Sequence, residues 1–380
     1  MTNPRALASW RAPASWLLIG PDGSARDAAV AKDAATMLAP VPTPSPAASV
    51  VLNSYNQGAY LQEAIDSVLG QTFNDLELLL VDNGSSDESP AIARAAASRD
   101  RRVRLFLHDE NVAISRRFNE AVAAARGEFV GFLYSDDLYL AHKLETQLAR
   151  FAQLPASFGV VYGPARGLNE ITGATWTYRS LGRSGELFAD LMLLPVGVAQ
   201  IDMVTPLIRR ECLQQHPFNE QVFAEGEAIF HRIALTHRFA HVDEPLAVLR
   251  DHGANAGKAI TRNREMMVTI LAALRQDRHL QPDQARLVDR YEARLMASYA
   301  WQGARLGIDP RWIRARLREA IAISPSDGAS PRSAAALALS LLPRTLRSAV
   351  NAGGHRLRRS PINPALVDDY GGGSGSTATR

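Results

Sequence analysis

Leu76-Glu77-Leu78-Leu79-Leu80-Val81-Asp82-Asn83-Gly84-Ser85-Ser86-Asp87 decides how this chain is read. A half-exposed strand would alternate apolar and polar residues, whereas Leu76–Val81 is nearly all apolar. The run therefore reads as a strand buried on both faces, as in a parallel sheet covered by helices. It ends abruptly in Asp82 and a turn-forming Asn-Gly-Ser-Ser. Upstream, Ser49–Asn53 is a β-branched strand, and Tyr60, Leu61, Ala64, Ile65, Val68 and Leu69 recur at helical spacing. Downstream, helices are predicted over 88–98, 112–125 and Ala141–Phe151, and strands over Val103–Leu107 and Phe129–Leu133, with Gly127 as a C-cap glycine. Alternating strands and helices make the fold class α/β, a mostly parallel sheet flanked by helices.

Outside this pattern, Pro40–Pro46 (PVPTPSP) reads as an extended linker and Gly371–Arg380 (GGGSGSTATR) as a flexible tail. With 46% hydrophobic and 21% charged residues, the chain can bury a large core and is not mainly disordered. No stretch approaches the roughly 20 apolar residues of a membrane-spanning helix, and Arg5, Arg11 and Pro13 interrupt any secretory signal. The single cysteine, Cys212, excludes a disulfide framework and a cysteine-built zinc site, so a reducing cytoplasm is the expected location. The net charge of +3 conceals an asymmetry: residues 1–258 sum to −6, while residues 259–359 carry 18 Arg against 8 acids. Such a basic segment on an acidic body suits an anionic partner.

In open α/β sheets ligands bind beyond the carboxyl ends of the strands. Here those ends carry Ser54-Tyr55-Asn56, Asp82, and Ser135-Asp136-Asp137. Adjacent carboxylates repel unless a cation or solvent separates them, and a hard divalent cation bridging to a diphosphate uses few carboxylates. Asp136 and Asp137 could therefore hold Mg²⁺ or Mn²⁺; the competing reading makes one of them the cap of the helix near Ala141. Asp82 could bond a ribose hydroxyl or a base N–H, or merely cap the turn that follows it. Tyr55 could stack on a base or pack. Neither GxGxxG nor GxxxxGK[ST] occurs, which favours phosphate handling by a metal over handling by backbone amides.

Val50–Asn56, Leu76–Asp87 and Ala125-Arg126-Gly127-Glu128-Phe129-Val130-Gly131-Phe132-Leu133-Tyr134-Ser135-Asp136-Asp137 together resemble the family 2 glycosyltransferases of the GT-A fold, with Asn111 and Asn119 also matching. The resemblance is strongest over 49–152 and continues to about 258 through Val160–Gly163, Arg209-Arg210 and Asp243–Leu246 with Arg250-Asp251-His252. It implies an inverting enzyme that moves a sugar from a nucleotide diphosphate donor, most often UDP-linked, to an acceptor hydroxyl. It implies donor binding by Ser54, Tyr55, Asn56, Asp82, Asn111 and Asp136, with a divalent cation (Mn²⁺ or Mg²⁺) held by Asp136, Asp137 and His252. Asp136 matches the last acid of the family's DxD motif, whose first acid is replaced by Tyr134. The family's base comes from a Glu-Asp pair with a downstream arginine. Glu225 and Arg232 match, but the aspartate position is Gly226, so Glu227 or Glu225 is expected to act as base, Glu227 preferred.

The resulting domain plan is an N-terminal extension and Pro-rich linker over 1–48, a GT-A domain over 49–258 and a basic helical region over 259–360. Residues 361–380 form the tail. Within the GT-A domain, 49–152 is the nucleotide-sugar half and 153–258 the acceptor half. Leu337, Leu339, Leu341, Leu342, Leu346 and Val350 lie among arginines, a composition that suits peripheral contact of 333–359 with an anionic membrane, at the inner face of the cell membrane. A saccharide or lipid-linked acceptor would fit that location. A nucleic acid partner is not expected, since the basic segment lacks interleaved aromatics. A nucleotidyltransferase would want a cation-bearing Gly-rich loop after the first strand, which Asn53–Gly58 lacks. The alternative kept is a degenerate transferase that binds nucleotide sugar as a scaffold or sensor.

Overall fold

The computed structural model describes residues 45–178, 180–193, 201–252, 260–343 and 345–347. The expected extension 1–39, most of the Pro-rich linker, the tail, and Arg344, Val350, Arg356, Arg358 and Arg359 lie outside these residues.

The first half alternates as expected: β1 (Ala48–Ser54), α1 (Gly58–Leu69), β2 (Leu76–Asn83), α2 (Ser89–Arg99), β3 (Val103–His108), α3 (Ile114–Ala124) and β4 (Phe129–Tyr134). A short β5 (Leu138–Tyr139) precedes α4 (Lys143–Phe151). The second half is more irregular, with β6 (Phe158–Tyr162), β7 (Ala165–Asn169), β8 (Thr175–Tyr178), α5 (Phe188–Leu193), β9 (Leu207–Arg209) and α6 (Arg210–Gln215). It continues through a 3-10 turn (Gly226–Ala228), α7 (Ile229–Ile233), β10 (Arg238–His241) and β11 (Ala247–Asp251).

Seven strands form the main sheet in the order β10-β6-β9-β4-β1-β2-β3. Strands β4, β1, β2 and β3 run parallel, as do β10 and β6, while β9 is antiparallel to both of its neighbours. The sequence pattern does not predict β9, a three-residue strand too short to leave a period. A second sheet, β5-β11-β7-β8, stands beside the site and was not anticipated either.

Side chains on opposite faces of the parallel strands feed two separate cores. Val51, Leu79, Val81, Val130 and Phe132 pack in one, Val50, Leu52, Leu78, Leu80 and Leu133 in the other. That is why LELLLV is apolar throughout. Gly127 was expected to cap α3, but the cap position is Ala125. A Cβ on Gly127 would come within 2.6 Å of the Ser49 backbone nitrogen, so glycine is required by close approach of the chain to β1.

The C-terminal region is helical: α8 (Ile260–Arg275), α9 (Pro282–Leu306), α10 (Pro310–Ile323), α11 (Pro325–Gly328) and α12 (Pro331–Leu341). Gln281 and Gln284 form a capping box at the start of α9, and Gly307, at φ 77°, ends it. Val288, Tyr291, Leu295, Met296 and Tyr299 of α9 share one core with Val51 and Val130 of the sheet. The region is therefore built onto the domain rather than tethered to it. Leu337, Leu341 and Leu346 are exposed, whereas Leu339 packs against the helical core. Among the described residues no helix is long and apolar enough to cross a membrane.

Candidate donor and transfer site

Parallel pairing places Ser54 directly opposite Asp82 at the carboxyl ends of β1 and β2. Both are buried, and among the described residues Ser54 Oγ and Asp82 Oδ2 have no hydrogen-bond partner. Asn53 Oδ1 is in the same condition. Buried polar groups without partners are costly, by about 1–3 kcal/mol each, so such a cluster at a strand end is a place prepared for a polar ligand. The other Asp82 oxygen accepts from the Ser85 amide at 3.0 Å, so one oxygen ties the turn and the second faces the site.

Around this pair the predicted donor residues divide into two kinds. Tyr55 is exposed. Asn56 adopts φ 51°, its amide donates to Ser85 Oγ at 2.9 Å, and its side-chain oxygen accepts from the Ser86 amide at 2.8 Å. Its oxygen is engaged in joining the two strand-end loops. Asn111 accepts from Asn83 Nδ2 at 2.9 Å, and Asn83 also accepts from Arg117 Nε at 2.8 Å, a brace behind the pocket wall. Asn119 ties α3 to the segment beyond α6, donating to the Phe218 carbonyl at 2.9 Å.

Asp136 and Asp137 follow β4, and neither caps α4, whose N-cap is His142. Asp136 Oδ2 lies 3.0 Å from His252 Nε2, which arrives just after β11 of the second sheet. The His252 ring stacks on Tyr60, centroids 5.2 Å apart, and the Tyr60 hydroxyl donates to Glu170 at 2.6 Å. Asp137 turns inward instead, its Oδ1 accepting from the Arg250 amide at 2.9 Å. Burial, Asp136 and Asp202 push the Asp137 carboxyl well above the usual range. Among the described residues no three His, Cys, Asp or Glu groups are arranged to hold a metal ion by themselves. The Asp136–His252 pair nonetheless supplies one oxygen and one nitrogen donor side by side. That set suits a Mg²⁺ or Mn²⁺ ion that takes most of its shell from diphosphate oxygens and water.

The two glutamates near Gly226 have opposite environments. Glu225 is buried and bidentate to Arg232 at 2.6 and 2.8 Å, and also accepts from the Asn219 amide at 2.7 Å. Its lone pairs are occupied. Glu227 is exposed to solvent. The protein around its carboxyl still pushes it above the usual range, opposed by its own amide and that of Met203. On an α-helix, neighbouring residues turn their side chains about 100° apart. Here Gly226 takes φ 53° and opens the 3-10 turn that holds Glu227, and α7 begins only at Ile229.

Asp202, ahead of β9, was missed. Burial first and Glu227 second push it up to about 7, with Asp136 adding to the effect. Its only local signal is a lone acid in an apolar stretch, Ile201-Asp202-Met203-Val204. Arg209 and Arg210, by contrast, belong to the far end of the sheet: Arg209 pairs with Glu128 and Arg210 donates to the Ala125 carbonyl.

Residues 49–225 match the family model of glycosyl transferase family 2. The chain carries a family 2 glycosyltransferase domain. A glycosyltransferase of Nostoc sp. is 32% identical over 216 residues, 54% of this chain and 65% of that protein. The glycosyltransferase GlyG of Streptococcus pneumoniae is 35% identical over 131 residues, 34% of this chain and 42% of that one. The chain thus spans less than two thirds of the curated relatives it matches. Staphylococcus aureus TarS 1-349 in complex with UDP-GlcNAc superposes with a TM-score of 0.58 at 17% identity, covering 80% of this chain and 92% of that one. Mannosyltransferase PcManGT of Pyrobaculum calidifontis, in complex with GDP-Man and Mn²⁺, gives 0.51 at 20% identity, covering 84% and 89%. At these identities the likeness is one of fold, and the glycosyltransferase domain has the GT-A architecture.

Proposed function

We propose that this chain transfers a glycosyl group from a nucleotide diphosphate sugar, UDP-linked, to an acceptor hydroxyl with inversion, in the synthesis of a surface polysaccharide or glycoconjugate. The observation that carries the reading is the buried, partnerless Ser54 Oγ and Asp82 Oδ2 in register at adjacent strand ends. A nucleoside offers hydroxyls and N–H groups that would satisfy both. Membership of a glycosyltransferase family supports the reaction class, and solved relatives with UDP-GlcNAc or GDP-Man bound support the donor class.

In this reading Asp82 and Ser54 hold the nucleoside, Tyr55 covers it, and Asp136 with His252 would hold a divalent cation beside the diphosphate. A bound cation neutralises charge on the leaving group. Glu227 takes the proton from the attacking hydroxyl, a role typically worth about 10²–10⁴-fold. Exposed Leu337, Leu341 and Leu346 fit peripheral contact with an anionic membrane and a lipid-linked or saccharide acceptor.

Thermal unfolding against UDP-, GDP- and dTDP-sugars, with and without Mn²⁺, tests the donor claim. A ligand at 100 times its dissociation constant stabilises by about 2.7 kcal/mol. A UDP-specific shift is expected; no shift with any nucleotide would remove the proposal. The scaffold reading draws on Gly226 and Tyr134, which stand where the family has acids. Glu227→Gln separates the two: an enzyme loses turnover and keeps donor binding, whereas a scaffold shows no turnover to lose.

A further inference from the structure

Tyr60 stands on the first turn of α1, whose start is fixed by the Gly58 amide donating to Asp87 Oδ2 at 2.9 Å. That anchor joins α1 to the loop after β2, so the ring is carried by the same strand-end loops that present Ser54 and Asp82. From there the ring reaches the second sheet. It stacks on His252 with centroids 5.2 Å apart and planes inclined by 25°, and the Arg250 guanidinium carbon lies 5.3 Å from its centre. Arg250 lies in β11 and His252 just beyond it, two residues on, the spacing that turns side chains toward one side of an extended chain.

Further bonds fix the surroundings of the ring. The Tyr60 hydroxyl donates to Glu170 Oε2 at 2.6 Å, and the other Glu170 oxygen lies 3.6 Å from Arg250 Nε. Arg250 also pairs with Glu63, three residues after Tyr60 on the same side of α1. The Glu170 amide donates to the Asp251 carbonyl at 3.2 Å, and the Arg250 amide donates to Asp137 Oδ1 at 2.9 Å. The backbone leading to His252 is thus held, and what remains is the direction of the imidazole itself. Tyr60 packs against that imidazole where its Nε2 meets Asp136 Oδ2 at 3.0 Å.

We infer that Tyr60 is a positioning residue for the cation side of the donor site: its ring holds the His252 imidazole at Asp136, and its bond to Glu170 holds the ring. The inference rests on the reading in which Asp136 and His252 hold a divalent cation beside the diphosphate, and it adds the residue that orients them. Groups behind a metal ligand set its direction, and their loss typically costs about 10–100-fold in metal affinity. An imidazole already held in place also gives up less rotamer freedom when an ion arrives.

The test uses the whole chain, the variants Tyr60→Leu, Tyr60→Phe and His252→Ala, and the Tyr60→Leu/His252→Ala double. The readout is UDP binding by titration calorimetry, once in Mn²⁺ and once in EDTA, with no turnover involved. Tyr60→Leu removes the stack and should lower UDP affinity in Mn²⁺ by roughly 10-fold, the low end of that range, while affinity in EDTA stays unchanged. Tyr60→Phe keeps the ring and loses only the Glu170 bond, so its loss in Mn²⁺ should be smaller. On the His252→Ala background, Tyr60→Leu should change neither affinity, because the group it positions is gone.

Equal weakening in Mn²⁺ and in EDTA would mean that the ring merely supports the fold around α1, and it overturns the inference. An unchanged affinity in Mn²⁺ overturns it too, as does an undiminished loss on the His252→Ala background. Should the leucine variant fail to fold, Tyr60→Phe carries the comparison: no loss confined to Mn²⁺ overturns the inference. A wild-type chain that binds UDP equally in Mn²⁺ and EDTA removes the cation reading, and the role of Tyr60 with it, while the nucleoside site at Ser54 and Asp82 stands. A wild-type chain that binds no UDP removes the donor reading as well.

Discussion

His252 Nε2 lies 3.0 Å from Asp136 Oδ2 although 116 residues separate them. The contact joins the main sheet to the second sheet at the mouth of the site, and it is where a carboxylate and an imidazole could share an ion. Removing either group should therefore act on metal dependence before stability. Asp136→Asn and His252→Ala are each expected to abolish the Mn²⁺ requirement of a UDP-induced thermal shift and weaken the shift itself. Unchanged Mn²⁺ dependence in both variants would place the ion elsewhere.

Asp82 spends one oxygen on the Ser85 amide and leaves the other buried without a partner. Asp82→Asn keeps an acceptor for the turn but alters the free end. It is expected to cost UDP binding roughly 1.5–3 kcal/mol, the range for hydrogen bonds to charged groups, with little change in melting temperature. Titration calorimetry with UDP reads the first quantity and unfolding the second.

Arg232 neutralises a glutamate that is only 5% exposed. Breaking such a pair leaves an uncompensated buried charge, so Arg232→Ala should destabilise by about 3–5 kcal/mol. Glu227→Gln should leave stability near neutral pH intact or slightly raised. If the two variants unfold alike under denaturant titration, the division between a structural and a reactive glutamate is wrong.

His231 is buried with both ring nitrogens unpartnered among the described residues, and it packs edge-on against Tyr291 at 5.4 Å. Burial, with Arg232 adding, pushes it down to about 4. Its folded value lies below the unfolded one, so its contribution is fully present above about pH 6.5 and is lost as pH falls toward 4. Acid lability over that window should shrink in His231→Phe, which keeps the ring contact. At pH 5 the variant should gain on the order of 2 kcal/mol relative to its effect at pH 7.5, from about 1.4 kcal/mol per pH unit. Equal effects at both pH values would mean that the histidine is not held neutral.

The alternation of strands and helices from Ala48 to Phe151 was legible because burial on both faces of a parallel strand leaves a continuous apolar run. The strand-end groups Ser54, Asp82 and Asp136 were legible for the same reason, each standing where such a run stops. Beyond β6 the signal fades. Strand β9 has three residues, α6 six and α7 five, lengths at which no period can be counted. Asp202 is marked only by its place in a short apolar stretch, which by itself does not single out a site acid.

Sequence alone determined the fold class, the end of the sheet where chemistry would be sought and the acids worth suspecting. It could do so because local patterns follow from which faces are buried. Only the tertiary structure decided that Arg232 closes around Glu225 and that Asp136 meets His252. The second of these contacts bridges segments far apart in the chain, and the first forms across a turn whose course depends on the left-handed backbone at Gly226. Neither long-range closure nor the direction of such a turn leaves a periodic trace in the residues themselves.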